Sequence, residues 1–378
     1  MTVIGTNSSA TRAGNASRAA NMQLQSAMER LSTGKRINSA KDDAAGLAIA
    51  ERMNAQVRGL NIAARNANDG VSLAQTAEGA LGKIGEMVQR MRELAVQSSN
   101  ATNSQTDRDA LQAEVSQLKD EVARVASSTS FNGTKLLDGS FSSARFQVGA
   151  DAGESITISG ITNATLAGLG TVTSASTQSS TAISDLTAVA DGDLTINGTS
   201  IGALAAVGTT QERQAQVVDA VNRISTTTGV GAFFDAVNNK IVLTSSSNIT
   251  LAAANTPAAK VGFDGTEDAT AASVTGITTL DISSYAGAQT AIRQADAALT
   301  QVNGARATLG AVQSRFESAV ANIQIAAENT TAARSRIMDT DFAAETAQLA
   351  RAQILQQAGN AMLSQANQLP QQVLSLLR

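Results

Sequence analysis

The stretch MNAQVRGLNIAARNANDGVSLAQTAEGALGKIGEMVQRMRELAVQ, residues 53–97, decides the fold of this chain. Its apolar residues recur at steps of three and four, the spacing of a single buried stripe on a helix. The positions are Met53, Val57, Leu60, Ala64, Ala67, Val71, Ala74, Ala77, Leu81, Ile84, Val88, Met91 and Ala95. Two consecutive steps of three, from Val71 to Ala77, make one stammer, which overwinds a supercoil locally. The pattern predicts one helix over residues 43–99, about 85 Å long at 1.5 Å per residue.

Two more segments carry the same spacing. Ser104 and Asp107 predict a capping box that opens a second helix, whose seam comprises Leu111, Val115, Leu118, Val122 and Val125. Near the other end the seam comprises Ile292, Ala295, Leu299, Val302, Ala305, Leu309, Val312, Phe316, Ala319, Ile323 and Ala326. Heptads of this length predict packed helices. Alanine contributes little apolar area, so burial against other copies would add stability, although an ordinary intramolecular bundle is the alternative.

Both ends of the chain are poor in charge. No charged residue lies between Arg351 and Arg378, and no acidic residue precedes Glu29. A helix that is apolar on much of its surface and uncharged elsewhere expects neighbours on several sides. The predicted assembly residues are Leu24, Met28, Leu31, Leu355, Met362, Leu369, Val373, Leu376 and Leu377. Pro370 removes a backbone donor and disfavours helix at Leu369, so the last helix is predicted to bend or end there.

The middle of the chain has a different composition. Residues 150–283 are dense in Ser, Thr and Gly and contain short alternating runs. Residues 233–237 and 240–244 flank Asn238-Asn239, which predicts a hairpin, and Thr209 with Glu212 predicts a capped short helix. Twelve acidic and four basic residues lie there. The segment is therefore predicted to be a compact, mostly β insert that faces water.

Composition excludes most chemistry. The chain has no His and no Cys, so zinc sites of the usual kind, His-based triads and disulfides are impossible. Aromatic residues make up only 2%, which argues against a thick, enzyme-like core. A net charge of −4 gives no electrostatic reason to expect nucleic acid. The uncharged C-terminal stretch is too rich in Gln and Asn for a bilayer. We therefore expect no enzyme activity, no cofactor, no nucleic acid and no membrane insertion.

Several motifs, in order along the chain, resemble those of bacterial flagellin. They are RINSAKDDAAGLAIA at residues 36–50, NANDGVS at 66–72, FNGTKLL at 131–137, MDTDF at 338–342 and the closing VLSLLR at 373–378. The resemblance covers roughly residues 1–150 and 284–378. The middle matches only loosely, and is similar to an insertion module of flagellins and hook proteins.

The resemblance implies a mainly α fold. Paired N- and C-terminal arms would form a long, coiled-coil-like helical rod, with a mostly β (α+β) outer domain inserted between them. The implied segments are an N-terminal inner-core helix with its linker (1–42), outer-core helices with a β-hairpin (43–150), a variable surface domain (151–283), a C-terminal outer-core helix (284–334) and a C-terminal inner-core helix (335–378).

The function implied is that of a structural subunit that self-assembles into the flagellar filament for motility. Such subunits leave the cell unfolded by type III export, so the chain would be secreted and extracellular. The implied partners are other flagellin copies, the hook-associated junction and cap proteins, an export chaperone at the C-terminal arm and a host Toll-like receptor. Two alternatives are a hook–filament junction protein and a flagellin-like surface adhesin, whose sugar site would need the aromatic rings of Phe233, Phe234, Phe263 and Tyr285.

Residues 89–96, QRMRELAV, resemble the flagellin segment that the animal cell-surface Toll-like receptor senses. The resemblance implies a receptor-recognition surface, which consists of Gln89, Arg90, Glu93, Leu94 and Glu114. Arginine offers a planar fork of donors, and an apolar anchor beside it is typical of interface hot spots. Because Val88 and Met91 belong to the seam, Arg90 and Leu94 are expected outside it.

Overall fold

The structure, a computed structural model, describes residues 7–100, 102–235, 238–253 and 258–376 of the 378-residue chain. Long helices lie toward both ends of the sequence. They are α1 (Ser8–Thr33), α2 (Ala44–Ser98), α3 (Gln105–Ser128), α7 (Tyr285–Met338) and α8 (Phe342–Leu376). α2 is one unbroken helix of 55 residues, which confirms the helix predicted from its spacing. Within the described residues no helix is both long and apolar enough to span a membrane.

Between α3 and α7 the chain forms short strands and short helices. The strands are β1 (Ser130–Phe131), β2 (Thr134–Lys135), β3 (Ser143–Gln147), β4 (Ser155–Ser159), β5 (Val172–Gln178), β6 (Leu194–Ile196), β7 (Thr199–Ser200), β8 (Val230–Asp235), β9 (Lys240–Ser245), β10 (Leu251–Ala253) and β11 (Ala272–Val274). The helices are α4 (Thr210–Arg223), α5 (Ser225–Thr228) and α6 (Ala258–Val261), with a 3₁₀ turn at Ile277–Thr279. Helical arms around a mostly β insert are the fold class that was predicted.

The strands of the insert form small antiparallel sheets. The largest has the order β11-β5-β9-β8, and another has the order β10-β6-β7. Asp235 pairs with Lys240 across β8 and β9, which confirms the predicted hairpin, although residues 236–237 lie outside the described part. α4 packs against β8. The apolar core of the insert includes Val217, Leu243 and Phe263.

Both predicted capping boxes are present. The Ser104 hydroxyl accepts a hydrogen bond from the Asp107 N–H at 3.2 Å, and the Ser104 N–H donates to the Asp107 carboxylate at 2.9 Å. Bonds from the Ser104 side chain and backbone lower the pKa of Asp107. Thr209 and Glu212 make the same two bonds at the start of α4, at 3.3 and 3.1 Å. Each box satisfies N–H groups that a helix start leaves without partners.

The chain divides into two compact units, and the boundary falls inside α2 and α7. One unit comprises Met1–Asn68, Gln147–Ser155 and Ser318–Arg378, and the other comprises Asp69–Phe146 and Ile156–Glu317. In the first unit Leu60 and Ala63 of α2 pack against Ile323 of α7.

The seam of α7 departs from its prediction at one end. Ala326 is exposed, whereas Ala327 is partly buried against the cluster formed by Leu60, Ala63 and Ile323. The assignment of Ala326 to the seam was therefore wrong. The buried stripe takes a step of four after Ile323, which the alternation of threes and fours did not specify.

A glycine and a phenylalanine interlock α2 and α7 in the second unit. Phe316 is fully buried, and its ring lies so close to Gly70 that a Cβ there would approach the ring Cζ to 2.7 Å. The edge of the Phe146 ring meets the same ring, with centroids 5.6 Å apart and planes at 89°. The ring is thus enclosed on two sides, and only a residue without a side chain fits at position 70.

We predict that Gly70→Ala destabilises the second unit by about 1–2 kcal/mol. The added methyl overpacks an enclosed ring, and this outweighs the gain of about 1 kcal/mol in helix propensity. Gly79→Ala on the same helix is the matched control, because nothing lies within 4 Å of a Cβ at that position. It should stabilise by about 0.5–1 kcal/mol. Urea unfolding followed by circular dichroism measures both, and equal effects of the two variants would contradict the interlock.

The last helix does not end where it was predicted to end. α8 continues through Pro370 to Leu376, so the predicted helix end near Leu369 was wrong, and the alternative of a bend there stays a prediction. Pro370 has no N–H to donate to the carbonyl of residue 366, four positions earlier. That carbonyl accepts a hydrogen bond of 2.8 Å from the Asn7 side-chain amide instead. The side chain of the residue that caps α1 thus supplies the donor that Pro370 lacks.

Candidate assembly and recognition surfaces

The terminal helices α1 and α8 pair antiparallel. Four side-chain contacts mark the pairing in order along the two helices: Arg30 with Glu345, Asn21 with Gln356, Ser17 with Asn360 and Asn7 with Ala366. The distances are 3.8, 2.5, 3.4 and 2.8 Å. Polar contacts therefore accompany the pair along almost its whole length.

Small residues line the seam between these two helices. Its buried members include Ser17, Ala20, Ala27, Ala352 and Ala366. A Cβ placed on Gly359 would meet the Cβ of Ser17 at 3.4 Å, so the backbones approach closely there. The most buried positions of the seam are therefore small, and larger apolar residues at the same spacing, such as Leu24 and Leu363, are partly buried beside them.

Three of the predicted assembly residues lie outside that seam, and two lie at its spacing. Met28, Leu355 and Met362 are exposed, at 58%, 46% and 64% of their surface, and Leu24 and Leu31 are partly buried. Met22 and Ile354 are equally exposed but were not predicted, although Ile354 directly precedes Leu355. Apolar side chains on both helices of one pair are thus open to contact.

The remaining assembly positions lie at the end of α8. Leu369, Val373 and Leu376 belong to the stretch in which only the helical backbone is described, and Leu377 lies outside the described residues. Their assignment stays a prediction.

The segments that connect α1 to α2 and α7 to α8 are hydrogen-bonded to each other. The backbones of Lys35 and Asp339 form an isolated antiparallel β-bridge. The Arg36 guanidinium donates to the Ile337 carbonyl at 2.7 Å. The Asp42 carboxylate accepts from the N–H groups of Asn38 and Ser39 at 3.1 and 2.9 Å. These bonds hold the pKa of Asp42 below its ordinary value, and the bond from the Ser39 N–H contributes most. Asp42 therefore organises the first linker through its charged form.

We predict that acid loosens this linker. A carboxylate with a lowered pKa in the folded state contributes stability above its unfolded pKa of about 3.9, and the contribution is lost as pH falls through the folded value. Protection of the Ser39 amide from hydrogen exchange should fall in the wild type below about pH 4. In Asp42→Asn the protection of the Ser39 amide should be low at every pH. Lys41→Ala is the control, and a flat wild-type profile would refute the role of Asp42.

The predicted recognition residues come together on the second unit, except one. Arg90 on α2 donates to the Glu114 carboxylate on α3 at 2.9 Å and to Glu93 at 3.2 Å. Gln89, Arg90, Glu93 and Glu114 are all exposed. The bonds with Glu114 and Glu93 raise the pKa of Arg90 above its ordinary value. The guanidinium is thus held in one orientation at an open surface.

Leu94 is the exception, because 0% of its surface is exposed. The expectation that Leu94 lies outside the seam was wrong. At this level α2 has two neighbours, since Arg108 of α3 donates to the Ser98 carbonyl and Arg92 bonds Asp296 of α7. A helix with neighbours on two sides buries a wider stripe, so Leu94 and Ala95 both face inward.

An ion pair beside these residues was not predicted. Arg92 donates to the Asp296 carboxylate at 2.6 Å, and the two residues are 204 positions apart. No local spacing could indicate this pair. It links α2 to α7, on a different side of α2 from the Arg90–Glu114 pair.

The aromatic residues offer little to a sugar ligand. Phe263 is fully buried, and Phe233 packs against the Tyr285 ring with centroids 4.7 Å apart. Phe234 is partly exposed, at 36%. Of the rings proposed for an adhesin, one is therefore open for stacking. Within the described part of the chain, no cluster of acidic side chains is arranged to hold a metal ion.

Comparison with known proteins places both ends of the chain in known families. Residues 4–142 match the bacterial flagellin N-terminal helical region, and residues 292–377 match the bacterial flagellin C-terminal helical region. Flagellin B of Vibrio cholerae serotype O1 is 43% identical over 363 residues, which cover 94% of this chain and 93% of that protein. Flagellin A of Vibrio anguillarum is 42% identical, and the match covers 100% of this chain and 100% of that protein. The B-type flagellin of Pseudomonas aeruginosa is 37% identical, with 95% and 96% covered.

Similar solved structures include FliC from Burkholderia pseudomallei, at 28% identity and a TM-score of 0.42, covering 65% of this chain and 99% of that one. FlgL from Xanthomonas campestris has 16% identity and a TM-score of 0.42, covering 76% and 99%.

Proposed function

The chain belongs to the bacterial flagellin family, and on that premise we propose how its parts serve the filament. It is a structural subunit that assembles with other flagellar proteins into the extracellular flagellar filament. In our proposal the pair α1–α8 provides the contacts between copies. The observation that carries this is the exposure of Met28, Leu355 and Met362 on a pair whose most buried seam positions are small residues.

The exposed and partly buried apolar residues of the terminal pair gain partners on assembly in this proposal. Leu24, Met28, Leu31, Leu355 and Met362 bury against neighbouring copies, and Leu369, Val373, Leu376 and Leu377 extend the same contact. Full burial of one such side chain contributes about 1.5–3 kcal/mol. Several per subunit, repeated through a polymer, offset the entropy of ordering two terminal helices.

We predict that Met362→Glu raises the critical concentration for polymerisation more than tenfold. A carboxylate placed in an apolar contact must be desolvated or protonated, either of which opposes assembly. Met362→Leu, which nearly conserves volume, should polymerise like the wild type. Sedimentation after salt-induced polymerisation measures both variants. Wild-type polymerisation by Met362→Glu would remove Met362 from the contact.

A deletion in the insert provides the positive control. Ser174 pairs with Ala272 across β5 and β11, so removal of residues 177–269 leaves a hairpin closed by a four-residue loop. This variant lacks most of the insert and should polymerise with an unchanged critical concentration. Its failure to polymerise would contradict the proposal that residues 151–283 project into water.

The segments have separate parts in the proposed assembly. Residues 1–42 and 335–378 form the inner core, residues 43–150 and 284–334 form the outer core, and residues 151–283 form the surface domain. The subunit is exported unfolded by the type III route, and a chaperone covers the exposed apolar residues of α8 before assembly. The junction and cap proteins bind the ends of the filament. Nothing in this role requires catalysis.

A filament subunit is favoured over a junction protein. The flagellins of Vibrio are 41–43% identical to this chain over more than nine tenths of its length, whereas the FlgL structures are 15–16% identical. Identity at the level of the flagellins assigns the chain to the repeating part of the filament.

We further propose that the cluster of Gln89, Arg90, Glu93 and Glu114 is recognised by an animal Toll-like receptor. Arg90 supports this because its guanidinium is exposed yet oriented by two carboxylates, so little entropy is lost when a partner binds. Leu94 is buried in the monomer. In this proposal it packs α2 against its neighbours and so holds the exposed cluster in place, without contacting the receptor.

We predict that Arg90→Ala weakens receptor activation by monomer more than tenfold, which corresponds to about 1.4 kcal/mol. Arg90→Lys is the matched control, because it keeps the charge and loses the planar fork. Its activation of the receptor should lie between that of the wild type and that of Arg90→Ala. Dose–response curves on receptor-expressing cells measure the effect, with circular dichroism to verify the fold. Unchanged activation by a folded Arg90→Ala monomer would refute the proposal.

A further inference from the structure

The carbonyl of Ala366 has an unusual donor. α8 runs through Pro370, which has no N–H for the carbonyl four residues earlier. Ala366 is 6% exposed, so water has little access to that oxygen. The Asn7 side-chain amide donates to it at 2.8 Å and thereby prevents a buried acceptor from losing its partner.

Asn7 uses both ends of its side chain. Its Oδ1 accepts from the Ala10 N–H at 2.9 Å and caps the start of α1, while its Nδ2 reaches α8. Among the common N-cap residues, Asp has no donor and Ser is shorter. Only Asn combines a capping acceptor with a donor at this reach. The two bonds join the start of α1 to one carbonyl of α8.

Packing alone does not set the register of α1 against α8. The small seam residues repeat every seven positions, at Ala20 and Ala27 on one helix and at Ala352, Gly359 and Ala366 on the other. A slip of one heptad would bring small residues against small residues again. Repetitive seams of this kind permit alternative registers unless a polar group selects one.

The polar contacts remove that ambiguity. After a slip of seven residues, Asn21 would lie opposite Leu349 or Leu363 instead of Gln356. Asn7 could then lie opposite residue 359, whose carbonyl has the N–H of Leu363 within the helix. In the interior of α8, before its last turn, Pro370 leaves the Ala366 carbonyl without a helical donor.

We propose that Asn7 and Pro370 act as a coupled pair that sets the register of α1 against α8. Pro370 frees one carbonyl, and the Asn7 amide binds it. The correct register then aligns the exposed apolar residues of the two helices into one contact surface for the next copy of the chain. This inference rests on the proposed role of α1–α8 in assembly and adds a residue pair on which that role depends.

The test is a double-mutant cycle read out as the critical concentration for polymerisation of the full-length chain. Asn7→Ser keeps an N-cap hydroxyl but cannot reach Ala366, so in the wild-type background it should raise the critical concentration about five- to tenfold. In Pro370→Ala the N–H of residue 370 donates to the Ala366 carbonyl within the helix. Asn7→Ser should then change the critical concentration less than about twofold.

Controls separate this coupling from other effects. Asn7→Asp caps a helix well but has no donor, so it should behave like Asn7→Ser. Asn15→Ser, on an exposed position of α1, should have no effect. Equal effects of Asn7→Ser in both backgrounds, or no effect in either, would overturn the coupling. Failure of Pro370→Ala to polymerise would also overturn it, because Ala366 would then have its donor. Failure of the wild type to polymerise would instead refute the assembly role itself.

Discussion

The close approach of α1 and α8 is the constraint on which the terminal pair depends. Two helices can approach this closely only where small residues face each other, and at Gly359 the backbone lies so near Ser17 that an added Cβ would contact the Ser17 side chain. Small residues bury little apolar area, so the pair alone gains little stability from its seam. The larger apolar residues, Met28 and Met362 among them, then lie on the outer faces. The exposed apolar residues on the outer faces of the pair are therefore available for contact between subunits.

Local signals made much of this fold predictable. The spacing of apolar residues predicted α2 to within one residue at each end, and both capping boxes were identified because their two members lie three positions apart. The errors arose where distant segments decide the outcome. Leu94 is buried because α2 has neighbours on two sides there, and the Ala366 carbonyl, which Pro370 leaves without its helical donor, receives one from Asn7, distant in sequence.

The candidate surfaces were predictable to a similar degree. Exposed charged residues such as Arg90 and Glu93 could be assigned from one helix, but the pair of Arg92 with Asp296 required the fold. The insert gives a sharper example. Arg213 lies on α4 and is fully buried, and it donates to the carbonyls of Leu186 and Thr187 at 2.8 and 2.5 Å. Burial lowers its pKa, and no periodicity in the sequence indicates such a residue.

Regularity and specificity are opposed in helices of this kind. The seven-residue repeat of small residues in the terminal helices makes several registers similar in packing. Specificity must then come from positions that break the repeat. Asn21 with Gln356 and Asn7 with Ala366 are such positions, since each requires one particular alignment to satisfy its hydrogen bonds. Apolar spacing therefore determines that these helices pair, and a few polar groups determine how they are aligned.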